Sequence, residues 1–80
     1  MTEAVKYAVV IEQAGQNFSA YVPDLPGCIS VGDTIQETER NIRDAIALHV
    51  DALLAHGDVV PQPTTKVEYI EGPIAPASQR

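Results

Sequence analysis

The stretch "PDLPGCISVGDT", residues 23–34, decides the fold: within it one strand ends, the chain reverses, another strand begins and a helix is set up. Pro23 has no amide to give a strand ladder and holds Val22 extended, so the strand before it closes at Val22. Pro26 and Gly27 suit the two central positions of a type II turn, proline setting φ at about −65° and glycine taking the positive φ that follows. "CISV", residues 28–31, then resumes as a strand. Thr34 and Glu37 have capping-box spacing, in which the Thr34 hydroxyl accepts from the Glu37 amide and the glutamate returns to the Thr34 amide. Asp33 adds negative charge where the helix dipole favours it, so a helix is expected to start at Ile35.

Upstream, residues 5–12, "VKYAVVIE", put Tyr7, Val9 and Ile11 on one face and Ala8 and Val10 on the other, the pattern of an interior strand. Gly15 in "QAGQ" can take positive φ, and "NFSAYV", residues 17–22, alternates Phe18, Ala20 and Val22 against polar neighbours, so a hairpin is expected. From Ile35 on, Ile42, Ala45, Ile46, His49 or Val50, Leu53 and Leu54 form one broad apolar stripe, and Gly57 after His56 supplies the C-terminal cap. Roughly 22 residues make a rod of about 33 Å, enough to cover a small sheet. Its outer face carries Glu39, Arg40, Arg43 and Asp44. Pro61 and Pro63 forbid continuation of the helix, and "TKVEYIE", residues 65–71, is expected to form a fourth strand with Val67 and Tyr69 on one face.

The order is therefore βββαβ, an α+β fold with a small antiparallel-type sheet and one long helix packed on one face. Residues 1–71 are expected to form the domain, and residues 72–80, with two prolines and no period, a flexible tail.

Eighty residues allow one small domain whose core is marginal without help, and oligomerisation is the usual help. A hydrophobic fraction of 45% is enough for a folded chain. The formal charge of −6 repels phosphate backbones and favours a basic partner, and the five basic residues are scattered, which argues against a direct grip on nucleic acid. One cysteine, no secretory signal pattern and no apolar run of the roughly 20 residues that span a bilayer lead to the expectation of a cytoplasmic chain without a membrane segment.

Catalytic readings find little support. Asp24 and Asp33 invite comparison with the carboxylate pairs of metal-dependent nucleases, but no third carboxylate has motif spacing to either, and turn and helix caps explain both. Cys28 as a nucleophile would need a basic partner, and both histidines sit late on the helix. His49 and His56 are two helical turns, about 10 Å, apart and cannot easily share one zinc within a chain. No phosphate-binding glycine motif occurs, so no catalytic residue, metal or cofactor is expected.

"YVPDLPGC", residues 21–28, and "GDTIQE", residues 32–37, followed by Asn41, Ala45 and Ile46, resemble the HicB family of bacterial antitoxins. The resemblance covers roughly residues 5–70, and its most specific part is the ordered set Pro23, Asp24, Leu25, Pro26, Gly27, Gly32, Asp33, Thr34, Glu37 and Asn41. It implies a partial ribonuclease H-like fold and a non-enzymatic role: neutralising a small basic HicA-type, mRNA-cleaving ribonuclease by covering its active site, as a dimer or tetramer. Many members carry a C-terminal DNA-binding module, and with residues 72–80 alone after the expected last strand, autoregulation by this chain is not expected. Thr38 stands where alanine is commoner in the family, with little consequence expected.

Within the motif, Pro23, Pro26, Gly27, Gly32, Asp33, Thr34 and Asn41 are expected to be architectural. Tyr21, Asp24, Cys28, Glu37 and Asp44 are the residues expected at the partner surface. Two other readings stay open: a stand-alone oligomeric HicB-like scaffold, and a metal-dependent nuclease remnant. Open strand edges, on strand three or four, are the expected sites of pairing between subunits.

Overall fold

The computed structural model describes residues 5–74. Three strands, β1 (Val10–Ala14), β2 (Asn17–Tyr21) and β3 (Ile29–Gly32), precede one helix, α1 (Ile35–Ala55). The strands form one antiparallel sheet in the order β1-β2-β3. β2 is therefore the central strand, and β1, expected inside the sheet, is an edge. Pairing begins at Val10↔Tyr21 rather than at residue 5, because β2 gives way at Val22 to the Pro23 turn and leaves residues 5–9 with no strand beside them.

Each local connection follows from its residue types. Gly15 and Gln16 join β1 to β2 with positive φ, 65°, at the glycine alone, the geometry of a two-residue type II′ hairpin. Between β2 and β3 the chain makes two turns in series: the Leu25 amide donates to the Val22 carbonyl at 3.0 Å and the Cys28 amide to the Leu25 carbonyl at 3.0 Å. The second turn carries Pro26 and Gly27 at its centre, with Gly27 φ at 84°, as a type II turn requires. A bond from the Val22 amide to the Cys28 carbonyl, 3.1 Å, closes the loop, and Leu25 is driven into the core with 0% exposure.

The helix starts as a variant of the expected box. The Glu37 amide donates to Thr34 Oγ1 at 3.0 Å, but Glu37 Oε1 accepts from the Asp33 amide at 2.6 Å, one residue earlier than the Thr34 amide. At the other end the Gly57 amide reaches the Leu54 carbonyl and the Asp58 amide the Leu53 carbonyl, a Schellman motif made possible by Gly57 at φ 73°. His56 Nδ1 lies 2.7 Å from the Ala52 carbonyl; a carbonyl only accepts, so that nitrogen carries the proton.

The core is Ala20, Val22, Leu25, Cys28 and Ile42, with Tyr7, Val9, Ile11, Ala45, Ile46 and Val50 packed around it. The helix thus covers the sheet face that holds Ala20. Thr38 joins this interior with 0% exposure, its hydroxyl donating to the Thr34 carbonyl at 2.7 Å. Its position against Gly32 makes it more than a neutral replacement for alanine: a Cβ on Gly32 would lie 2.5 Å from Thr38 Oγ1 and 2.8 Å from its backbone nitrogen. Asn41 links the same two elements, Nδ2 donating to the Val31 carbonyl at 2.8 Å.

The expected fourth strand is absent among the described residues: 65–71 pair with no strand. After Gly57 the chain runs back to the residues before β1, where Tyr7 Oη donates to the Pro61 carbonyl at 2.6 Å, and beyond Thr65 residues 66–74 lie exposed. β-propensity alone did not place this segment, because a strand needs an open edge within reach and here none of this chain's edges takes it. Of the expected tail, residues 75–80 lie outside the described residues.

Candidate functional site

Strand register decides what lies on the sheet face away from the helix. Directly paired residues share a face, so Val10, Tyr21 and Ile29 form one row and Glu12, Ser19 and Val31 the next. Tyr21 is 41% exposed, Ile29 68% and Val31 63%. Three large side chains thus stand together on the solvent side of the sheet, with the Glu12 carboxylate beside them. Adjacent apolar groups of this size on a small sheet, next to an acidic residue on a chain of charge −6, suit a partner with an apolar contact and a basic surround.

Tyr21 is the one expected contact residue in this patch. Ile29 and Val31 were missed, although a signal existed: in "CISVG" apolar side chains occupy both parities, so that whichever set faced the core, another apolar set had to face out. Cys28, expected at the partner surface, is 3% exposed and belongs to the core, where burial pushes its thiol up from the ordinary value. Glu37 is half-buried and engaged by the Asp33 amide. Asp44 is exposed on the helix, away from the outer sheet face.

Asp24 has a task that no local pattern announced. Its carboxylate accepts from the amides of Thr64 and Thr65, at 3.0 and 2.9 Å, and from both hydroxyls, at 3.0 and 2.9 Å. The β2–β3 turn thereby clamps the segment that returns from the helix. These bonds, the Thr65 amide first, hold the Asp24 carboxyl below its ordinary value of 3.8. A depressed folded-state value means that the clamp's contribution is complete above about pH 4 and is lost as the pH falls through the folded value. The Thr64 and Thr65 amide resonances should accordingly hold steady from neutral pH to about pH 4 and move together below it. In Asp24→Asn they should be displaced at every pH and show no such titration; an unchanged spectrum in that variant would remove the clamp from the account.

Among the described residues, no cluster of three or more His, Cys, Asp or Glu side chains is placed to hold a metal ion. Nor is any helix among them long and apolar enough to cross a membrane.

Comparison with known proteins bears on the same stretch. A family model described as a HicB-like antitoxin of bacterial toxin–antitoxin systems matches residues 7–74. A protein from the rep–hol intergenic region of Haemophilus phage HP1 is 34% identical over 67 residues, 84% of this chain and 50% of the phage protein, so the chain spans about half of that relative's length. A UPF0150 protein of Synechocystis is 39% identical over 57 residues, 70% of this chain and 72% of that protein. Among solved structures, a chain of the HicA3 and HicB3 toxin–antitoxin complex superposes with a TM-score of 0.65 at 32% identity, covering 75% of this chain and 70% of that one. The N-terminal domain of the Burkholderia pseudomallei antitoxin HicB superposes with a TM-score of 0.56 at 28% identity, covering 89% and 73%. With turn, helix cap and sheet order on one side and the span of these matches on the other, the chain belongs to the HicB-like antitoxin family of bacterial toxin–antitoxin systems.

Proposed function

We propose that this chain binds and neutralises a small basic HicA-type ribonuclease, and that the outer face of the sheet is the surface that does so. The observation that carries the reading is the patch of Tyr21, Ile29 and Val31, exposed together on an acidic chain of this family. The likeness to a chain of the HicA3 and HicB3 complex supports the class of partner. Apolar side chains supply lasting affinity once desolvated, while the surplus of carboxylates speeds the encounter with a positively charged protein. Neutralisation then follows from occlusion and asks no chemistry of this chain. Exposed Asp44 contributes to the long-range field, whereas Asp24 and Glu37 act through the geometry they hold.

The test is direct. Ile29→Asp combined with Val31→Asp leaves the described core untouched and should weaken binding to a HicA-type ribonuclease by roughly 30-fold or more, with inhibition lost in parallel. Titration calorimetry and an RNA-cleavage assay read the two effects, and circular dichroism checks that the helix survives. Unaltered affinity in a folded double variant would remove the outer face as the toxin site.

A further inference from the structure

Among the residues that the two strand ladders place on the outer sheet face, Glu12 is the only charged one, and no cation stands with it. Its side chain is exposed, and the one salt bridge among the described residues joins Lys66 to Glu68. Register fixes its neighbours. Ser19 stands directly opposite on β2, and Tyr21 lies two residues further along that strand, on the same face and on the diagonal, with Cβ atoms within about 8 Å. Val31 and Ile29 continue the two rows on β3. A carboxylate without a counter-charge thus borders an apolar patch, beside a tyrosine that is 41% exposed.

The polar atoms on offer are acceptors: two carboxylate oxygens and the hydroxyl oxygens of Ser19 and Tyr21. A side chain that covers this part of the face has to bring donors to them and tolerate an apolar surround. An ammonium is a compact, strongly hydrated charge and gives up its water poorly in such a place. A guanidinium is weakly hydrated, presents its donors in a planar fork that matches a carboxylate with two parallel bonds, and stacks on an aromatic ring. Attraction to a ring face acts within about 6 Å of the centroid, a reach that the diagonal spacing of Glu12 and Tyr21 allows.

Resting on the toxin-binding reading above, we infer that the outer face holds a seat for one arginine of the ribonuclease. Glu12 takes the edge of its guanidinium, Tyr21 the flat face, and Ile29 and Val31 the aliphatic stem. The seat makes the contact selective, because a partner with an apolar residue there leaves the Glu12 carboxylate covered and unpaired. It also separates two uses of charge. Glu12 acts inside the contact and slows departure, whereas carboxylates elsewhere, such as Asp44, act on the encounter.

Titration calorimetry of the full chain with a HicA-type ribonuclease at physiological salt tests the seat. Glu12 is exposed and Tyr21 lies outside the core cluster, so both can be changed with the fold kept, as circular dichroism would verify. Glu12→Gln should weaken binding by roughly 30-fold, and Tyr21→Leu, which keeps an apolar side chain, by roughly tenfold. Combined, they should cost much less than the product of the two, because both act on one guanidinium. Glu39→Gln removes an equal charge from the helix and should change affinity by less than about twofold. Phenylglyoxal labelling with mass analysis should find one ribonuclease arginine protected in the complex. Its replacement by lysine should weaken binding to the unaltered chain and not to the chain carrying Glu12→Gln and Tyr21→Leu. Full affinity in Glu12→Gln, fully multiplicative losses, or no protected arginine overturns the seat, while lost binding in Ile29→Asp with Val31→Asp would still uphold the toxin-binding face. If that last variant binds as before, the face is the wrong surface and the seat falls with it.

Discussion

Gly32→Val is expected to cost about 3 kcal/mol or more of folding stability, the largest effect of any single change at the helix–sheet contact. Gly32 does not adopt positive φ, so the backbone alone would accept a side chain there, and a reduced unfolded-state entropy would even favour one by about 1 kcal/mol. Steric overlap outweighs that gain. An added Cβ meets Thr38 at Oγ1 (2.5 Å), at the backbone nitrogen (2.8 Å) and at Cα (3.0 Å), and two of those three atoms are backbone of the helix's first turn. To make room, α1 would have to lift from β3 and strain the Asn41 link to Val31. Urea denaturation should show the loss as a lower midpoint with little change in slope. A Thr38→Ala background should restore only about 1 kcal/mol, because the hydroxyl leaves and the main chain stays. Full recovery would mean that the hydroxyl is the only obstacle, and no loss in Gly32→Val would mean that the helix is free to slide.

Leu25→Ala is the second large effect, at about 3 kcal/mol. The side chain is fully buried, and its backbone is pinned by both turns, the amide on Val22 and the carbonyl accepting from Cys28. A site held at both ends collapses poorly around a missing side chain, which places the cost well inside the usual range for such a truncation rather than at its low end. For 80 residues the whole folding free energy is roughly 4–12 kcal/mol, so either substitution removes a large fraction of it. Leu25→Met, which conserves volume, should cost less than about 1.5 kcal/mol by the same measurement. If alanine and methionine proved equally mild, Leu25 would not be a keystone of the core.

The second turn shows why parts of this chain were readable. The Leu25 carbonyl and Cys28 amide are three residues apart, Pro26 and Gly27 each have one conformational reason to be there, and nothing distant is needed to close the turn. The Thr34 cap and the Gly57 exit from the helix are of the same kind. Glu37 shows where such reasoning stops: the pattern announces a carboxylate that turns back, but the donor it reaches, Asp33 rather than Thr34, depends on how the β3–α1 link is packed. For the candidate surface, Tyr21 was visible as an aromatic without an obvious place in the core. Ile29 and Val31 became its neighbours only through the β2–β3 register. Cys28 went the other way, because it lies one step before Ile29 in extended chain and so points to the opposite face.

By itself, the sequence determined the elements that rest on contacts a few residues apart: hairpin, Pro26–Gly27 turn, capped helix and their order, together with the resemblance that the 23–41 pattern carries. Tertiary structure alone decided which partner each long-range group found. Asp24 looks like a turn residue until Thr64 and Thr65, forty residues away, come to its carboxylate. Gly32 looks like a loop glycine until Thr38 packs on it, and residues 65–71 look like a strand yet pair with none among the described residues. The physical reason is common to all three. Propensity and capping act through bonds and neighbouring turns, whereas clamps, close approaches and strand pairing depend on which distant surfaces the folded chain brings within 3 Å, and no single-residue preference encodes that distance.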